Sequence, residues 1–173
     1  MTRMKKEMCC KSFNKSIMLC KKNCVKKFLK KGYNPNSIVT LPSHYNTDII
    51  NKKYKVSLLI LAVITENINS LKILLRYGVN PDEFIDDHGF NALHHACCSH
   101  NYKIISILLK NKAHVNFKSG CGSTPLQLCC DMLYIMDEEG TGRAKQKKCM
   151  KLLIKNGADI YTNYRLKNNQ IEK

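Results

Sequence analysis

The sequence predicts an all-α fold, a solenoid of about four helix-turn-helix repeats with two insertions. Two observations support this prediction. Three segments of the 173-residue chain align with one another, and their openings at Ser57, Asn91 and Thr124 lie 34 and 33 residues apart. Apolar residues recur within these segments at the period of an amphipathic helix, as Ile104 and Leu108 do in the second segment. A fixed period of this length is typical of stacked repeats.

Each repeat carries local signals for where its helices begin and end. Thr124 suits the N-cap of a helix, and Pro125 fits the first turn, where a missing N–H costs no hydrogen bond. Gly78 and Gly157 follow helix ends, where the backbone needs the positive φ that glycine adopts freely. Lys112 occupies the equivalent position of the middle repeat, and we expect it to strain the backbone by about 1 kcal/mol.

The openings and closings of the repeats match a known signature. Residues 91–96 read N-A-L-H-H-A and residues 124–129 read T-P-L-Q-L-C, which are near copies of T-P-L-H-x-A. Residues 75–80 and 154–159 close their repeats with L-R-Y-G-V-N and I-K-N-G-A-D. On these residues the chain resembles the ankyrin-repeat family, and in particular small ankyrin repeat domain-containing proteins. The resemblance implies a stack of helix pairs with a concave binding surface.

The predicted organisation has three parts. A basic segment at residues 1–12 precedes the repeat domain at residues 13–161, and a polar tail occupies residues 162–173. The first repeat lacks the signature, as is typical of a capping repeat. Its first helix is predicted from three apolar residues at helical spacing, Phe13, Ile17 and Cys20. The four repeats are predicted at about residues 13–36, 57–82, 91–116 and 124–161.

Two departures from the period predict the insertions. Gly32 and Gly78 are 46 residues apart, which predicts an extended loop before the second repeat. Lys112 and Gly157 are 45 residues apart, which places extra residues between the helices of the last repeat. Residues 140–145 in that insertion contain two glycines but lack the spacing of a phosphate-binding loop, so we predict a flexible turn.

Charge and cysteine content bear on the partner and the compartment. The net charge is +16, and residues 1–32 carry eleven Lys and Arg against one Glu. This segment favours an acidic partner, nucleic acid or an import receptor, although a solvated end repeat also explains the lysines. Six of the ten cysteines stand in adjacent pairs, which cannot bridge without strain, so we predict reduced thiols and a cytoplasmic or nuclear location. No apolar run approaches the ~20 residues of a membrane helix.

The residues that most resemble a reactive or metal site have a simpler explanation. His94, Cys97 and Cys98 have the spacing of soft metal ligands on one helix face, but the family resemblance implies a hydrogen-bonding scaffold role for His94. A nucleophilic Cys98 would need an activating base and a pocket. We therefore predict a protein that is not an enzyme, with no catalytic site, no cofactor and no metal. Four carboxylates are predicted to be solvated charges in a loop between repeats: Asp82, Glu83, Asp86 and Asp87.

The resemblance implies that partner contacts come from the hairpin tips and from the exposed side of each first helix. Phe90 is the expected anchor, because buried aromatic side chains dominate interface energies, whereas packing between adjacent hairpins is the alternative for its ring. The predicted contact residues in the tips are Asp87, His88, Phe90, Cys121 and Ser123. Those on the first helices are Ile64, Thr65, Cys98, Ser99, Asp131 and Met132.

The leading functional prediction is a non-enzymatic scaffold that binds a partner protein on its concave surface. One alternative is a substrate adaptor of a ubiquitin ligase. Such an adaptor requires a docking box after the repeats, and residues 162–173 are polar and too short to supply one, which argues against this alternative. Another is a nucleic-acid or acidic-partner binder that uses residues 1–32. We also expect the last repeat to expose part of a stripe formed by Met150 and Leu153, which would allow two copies to associate.

Overall fold

The computed structural model describes residues 22–41, 54–83, 86, 88–131 and 141–161. Within these ranges the chain forms seven helices and one two-stranded antiparallel ribbon. The helices are α1 (Lys22–Lys30), α2 (Leu58–Ile64), α3 (Ile68–Arg76), α4 (Ala92–Cys98), α5 (Tyr102–Lys110), α6 (Pro125–Asp131) and α7 (Thr141–Lys155). The strands are β1 (Ile38–Leu41) and β2 (Tyr54–Ser57).

The helices lie in two layers. The inner helices α2, α4 and α6 stack on one another in sequence order, and the outer helices α3, α5 and α7 each pack against the inner helix that precedes them. Helix α1 packs against α3, and α7 also packs against α5. The predicted repeat solenoid is therefore confirmed. The largest fully buried side chains lie in this stack: Leu58, Leu59, Ile60, Leu61, Leu71, Leu74, Leu93, Ile104, Ile105 and Leu108.

The three repeat openings are the residues that cap the inner helices. The side chains of Ser57 and Asn91 accept hydrogen bonds from the backbone N–H three residues further on, at 3.2 and 3.1 Å. Thr124 accepts in the same way from the N–H of Gln127 at 3.3 Å, and the Gln127 side chain accepts from the Thr124 N–H at 2.6 Å. Each side chain satisfies a donor that the first turn leaves without an intrahelical partner.

The outer helices end in left-handed backbone conformations. Gly32, Gly78 and Gly157 have φ values of 81°, 79° and 87°, as the sequence predicted for the last two. Lys112 takes the same conformation at φ 65° after α5. The middle repeat therefore places a side chain where the others have none, and the Cβ atom makes this conformation unfavourable.

An antiparallel ribbon stands where the sequence predicted an extended loop. Strands β1 and β2 pair in a register that sets Val39 opposite Val56. Both valines are buried, whereas the neighbouring Ile38 is 54% exposed, which is the alternation of a strand with one covered face. The ribbon was not predicted, because each strand has only four residues and its partner is distant in the chain.

The glycine-containing segment of the last repeat also differs from its prediction. Helix α7 begins at Thr141, so residues 141–145 are helical and not a flexible turn. The buried Gln146 amide donates hydrogen bonds to the carbonyls of Cys129 and Cys130, at 2.9 and 3.3 Å. These bonds tie the first turns of α7 to the end of α6, and this tertiary contact cannot be read from local spacing.

The expectation that the last repeat exposes part of the Met150 and Leu153 stripe was wrong for Leu153. Leu153 is fully buried and Met150 is half-buried, because this side of α7 faces α5 and α6. Among the described residues of the last repeat, the exposed large apolar side chains are instead Ile154, Ile160 and Tyr161.

Several predictions fall on residues that the structure does not describe, and the domain bounds stay a prediction. In the described ranges, no helix has both the length and the apolar character needed to cross a bilayer. The predictions outside the described residues concern the basic segment 1–12, the first helix of the first repeat with Phe13, Ile17 and Cys20, the tail 162–173, and the site residues Asp87 and Met132.

Candidate interaction surface

The hairpin tip before α4 is built around a buried carboxylate. Asp86 is 7% exposed and accepts hydrogen bonds from the backbone N–H groups of His88 and Phe90. Its other oxygen lies 3.0 Å from Nε2 of His95. The prediction of a solvated loop charge was therefore wrong for Asp86, because the tip folds back over the carboxylate and satisfies both of its oxygens.

A second carboxylate from the same loop connects two repeats. Both Asp82 side-chain oxygens accept from the backbone N–H of His114, at 2.9 and 3.0 Å. Asp82 Oδ1 also accepts from the Asn91 side-chain amide at 3.3 Å. Asp82 is half-buried, so it too departs from the predicted solvated role and stabilises the junction between repeats.

The two hairpin tips that the structure describes contact each other through their backbones. The N–H of Gly120 donates to the carbonyl of His88 at 2.9 Å. Gly89 lies beside this bond with φ 66°, and a Cβ atom there would stand 2.6 Å from the Gly120 nitrogen. Glycine at both positions allows this approach, and the tips are held at a fixed spacing.

His94 connects the base of one tip to the next repeat. Its ring is fully buried, Nε2 donates to the carbonyl of Ser123 at 3.1 Å, and Nδ1 accepts from the backbone N–H of Asn91 at 3.2 Å. Burial lowers the pKa of His94 below its ordinary value, so the neutral ring is favoured. Both ring nitrogens are engaged in this scaffold and neither faces an open coordination site.

Phe90 lies on top of this histidine scaffold. Its ring stacks on His94 with centroids 5.4 Å apart and meets His95 edge-on at 5.9 Å. His88 lies 5.7 Å away on the exposed side of the tip. Phe90 is half-buried as a residue, and its ring is supported by the histidines of its own repeat.

The second tip carries an exposed thiol. Cys121 Sγ lies 3.1 Å from the Ser119 hydroxyl and 3.5 Å from the Ser123 hydroxyl. Hydrogen bonds from these two side chains, that of Ser119 above all, lower the pKa of the Cys121 thiol. Ser123 itself is half-buried, and its carbonyl also accepts from the N–H of Ser119.

The predicted contact residues on the inner helices lie at the carboxyl ends of α2, α4 and α6. Ile64, Thr65 and Cys98 are half-buried, whereas Ser99 and Asp131 are exposed. The Thr65 hydroxyl donates to the Leu61 carbonyl at 2.7 Å, and the Ser99 hydroxyl makes the same bond one repeat further on. Since the inner helices stack, these residues form one row at the carboxyl ends of the inner helices, whereas the tips lead into the amino ends of α4 and α6.

Comparison with known proteins agrees with this geometry. A family model described as ankyrin repeats in three copies matches residues 16–119, more than half of the chain. The chain belongs to the ankyrin-repeat family. It is also 33% identical over 78 residues to an ankyrin repeat protein of Borreliella burgdorferi, and 28% identical over 130 residues to the nuclear factor NF-kappa-B p105 subunit of Gallus gallus.

The two relatives are longer than the matching part. The first match covers 45% of this chain and 35% of the Borreliella protein, and the second covers 72% of this chain and 12% of the chicken protein. Ankyrin repeats are generally non-enzymatic modules for protein-protein interaction. That property applies to the repeats, whereas the relatives' own roles are properties of much longer chains.

The buried thiols of this ankyrin domain are poor nucleophiles. Cys97, Cys129 and Cys149 are fully buried, and burial raises the pKa of Cys129 to about 12 and that of Cys149 to about 11. Burial also raises the pKa of Cys97 well above its ordinary value. In the described parts of the chain, no three or more His, Cys, Asp or Glu side chains are grouped to hold a metal ion.

Sequence reasoning missed two positioning residues in this region. His100 adopts φ 49° in the turn between α4 and α5, and its Nε2 lies 3.1 Å from the Cys129 carbonyl of the next repeat. Asp86, the second of these residues, lies 3.0 Å from Nε2 of His95, although both residues were visible in the sequence. Spacing alone could not reveal these partners, because each contact depends on how the tip or turn folds back.

Proposed function

We propose that this ankyrin-repeat chain is a non-enzymatic scaffold that binds a partner protein on its concave surface. The proposed surface consists of the tips and the carboxyl ends of the inner helices. Its residues are Ile64, Thr65, Asp87, His88, Phe90, Cys98, Ser99, Cys121, Ser123, Asp131 and Met132.

The observation that carries the proposal is the half-buried Phe90 ring on its histidine base. The stacking partner His94 is itself held at both nitrogens, so the aromatic ring sits on a rigid support. A half-buried aromatic residue that is already supported loses little conformational entropy on binding, and aromatic anchors are enriched among binding hot spots.

The fixed spacing of the tips is the second support. The bond between Gly120 and His88 leaves the side chains of His88 and Cys121 exposed while it fixes the backbone that carries them. A pre-formed surface reduces the ordering cost of association.

We propose a cytoplasmic or nuclear location for this scaffold. The described cysteines are free thiols, among them three fully buried ones, which suits a reducing compartment. The net charge of +16 suits an environment rich in acidic macromolecules.

The test is a nuclease-treated pull-down from cell extract with the full chain and matched aromatic variants. Phe90→Ala removes the proposed anchor, and Tyr102→Ala removes an exposed aromatic ring from the opposite layer. We expect a specific set of proteins to be retained by the parent chain and by Tyr102→Ala and to be lost with Phe90→Ala. Circular dichroism and thermal melting establish that each variant is folded.

An additional variant separates lost binding from lost packing. Cys121→Ala with Asp131→Ala removes two exposed side chains of the proposed surface and leaves all three histidine rings around Phe90 in place. Retention of the same proteins by all variants would place the binding surface elsewhere and overturn the proposal.

A further inference from the structure

The two layers of the solenoid differ sharply in charge. The outer helices α1, α3, α5 and α7 contain fourteen Lys and Arg and no Asp or Glu. The inner helices α2, α4 and α6 contain no Lys or Arg and one acid, Asp131. The positive charge of the described chain is therefore concentrated on the layer opposite the proposed protein-binding surface.

These basic side chains are accessible to a ligand. Every Lys and Arg of the outer helices whose side chain the structure describes is exposed, and none lies within 4.0 Å of a carboxylate of the described residues. Helix α7 shows the arrangement most clearly, since Lys147, Lys151 and Lys155 follow one another at intervals of four on the side away from the buried Cys149 and Leu153.

We infer that the outer layer is a binding surface for the phosphodiester backbone of nucleic acid. A surface that carries one charge sign attracts a polyanion and gains affinity from counterion release. This inference is independent of the concave surface and of its protein partner.

The type of basic residue predicts binding without strong sequence preference. Twelve of the fourteen basic residues are Lys and two are Arg. Lysine acts as a point charge toward phosphates, whereas specific base contacts are most often made by paired donors of Arg. We therefore expect the affinity to depend steeply on salt and weakly on base sequence.

Nucleic acid fits the surface better than an anionic membrane. Membrane-surface helices combine basic residues with a broad exposed apolar side that enters the lipid. The apolar sides of these outer helices are instead buried against the inner layer, with Ile154 as the exposed aliphatic side chain among the described ones. Tyr77 and Tyr102, at the ends of α3 and α5, are exposed rings of the kind on which bases stack.

The experiment measures binding of the full chain to fluorescein-labelled probes by anisotropy. The probes are a 24-base-pair DNA, the same duplex as RNA, a single-stranded RNA of equal length and a second DNA of unrelated sequence. Titrations at 50 and 200 mM salt give the salt dependence. Phosphatidylserine vesicles in a flotation assay test the membrane alternative.

Two variants with the same change in net charge locate the binding surface. Lys147→Glu with Lys151→Glu reverses two charges on the outer layer, and Lys55→Glu with Lys118→Glu reverses two exposed charges outside the outer helices. We expect the first variant to bind at least about tenfold more weakly. Because two phosphate contacts disappear, the slope of the logarithm of affinity against the logarithm of salt concentration should also fall in magnitude by about two. We expect the second variant to change affinity by less than about threefold.

The remaining outcomes overturn the inference. Equal losses in the two variants would mean that net charge alone governs binding. Unchanged affinity in both would assign the binding to other residues, such as the basic segment near the N-terminus. Absence of nucleic-acid binding at 50 mM salt, with or without binding to vesicles, would also reject the proposed surface.

Discussion

The backbone N–H of Gly120 donates to the carbonyl of His88 across 2.9 Å, so the tips of two consecutive repeats are joined by a hydrogen bond that no side chain provides. The contact requires close approach of the two chains, and both participating segments contain glycine. The spacing of the side chains on the concave surface therefore depends on backbone packing at the tips.

Gly89→Ala is expected to lower the free energy of unfolding by about 2–4 kcal/mol. Alanine is disfavoured at φ 66°, and its Cβ would stand 2.6 Å from the Gly120 nitrogen, so that the tips must separate. Gly78→Ala is the matched control, because Gly78 has φ 79° with no atom within 4 Å of the added Cβ. Gly78→Ala should lower the free energy of unfolding, measured by urea denaturation, by about 1 kcal/mol. Equal losses in the two variants would mean that the close contact of Gly89 with Gly120 is unimportant.

Lys112→Gly is expected to stabilise the domain by about 1 kcal/mol. Lys112 adopts φ 65° after α5, where the neighbouring repeats carry glycine, and removal of its side chain relieves the strain. Lys110→Gly removes the same charge from the last turn of α5 and should destabilise by about 1 kcal/mol. Denaturation midpoints that move in the same direction for both variants would contradict this explanation.

The stability of the domain is expected to fall as the pH decreases below about 6.5, the ordinary pKa of His94. Burial lowers the pKa of His94 in the folded state, so the unfolded chain takes up the proton first as the pH falls. The free energy of unfolding therefore decreases between the ordinary pKa and the lower pKa of the folded state. Above the ordinary pKa, both states hold a neutral ring and this contribution does not change. Thermal melts between pH 7.5 and pH 5.5 measure the effect.

The matched histidine variants identify the source of that pH dependence. His94→Gln should be less stable than the parent chain at pH 7.5 and should lose part of the decline toward pH 5.5. His88→Gln, at an exposed position outside the scaffold, should retain the decline. An unchanged decline in His94→Gln would assign the effect to other groups.

Cys121 is expected to react with iodoacetamide far faster than the buried thiols of the native domain. Hydrogen bonds from Ser119 and Ser123 lower the pKa of Cys121, whereas burial raises the pKa of Cys129 to about 12. The thiolate is the reactive form, so we expect a difference of about a hundredfold or more at pH 7.5, measured by peptide mapping. Ser119→Ala should slow the alkylation of Cys121. Labelling of Cys129 at a rate comparable to that of Cys121 in the folded protein would contradict the described burial.

Much of the fold follows from local sequence signals. Thr124 and Pro125 mark the start of a helix, and Gly78 and Gly157 mark ends, because caps and left-handed terminators depend on residues within one turn. The ribbon of β1 and β2 could not be predicted in this way. Its strands are short, and Val39 and Val56 become a pair only when the ribbon folds against the helices.

The candidate site was predicted in outline and differs in its internal contacts. His94 was expected to be a scaffold residue, and the structure gives it two hydrogen-bond partners. Asp86 was expected to be solvated, because an acidic run in a loop is usually exposed, yet it is buried beneath the tip. Charge and spacing along the chain do not specify which loop residue turns inward.

The sequence by itself determined the repeat period, the family and the caps that begin α6 and end α3 and α7, because each of these depends on side chains close together in the chain. Only the tertiary structure decided which carboxylate is buried, which glycines allow the tips to meet and which face of α7 is covered. These features depend on how a tip folds back, as around Asp86, and on contacts between repeats, as between Asp82 and His114. The separation of charge between the layers also emerges only when the outer helices stand together, since the basic residues of α1, α3, α5 and α7 are separated by whole repeats in the chain.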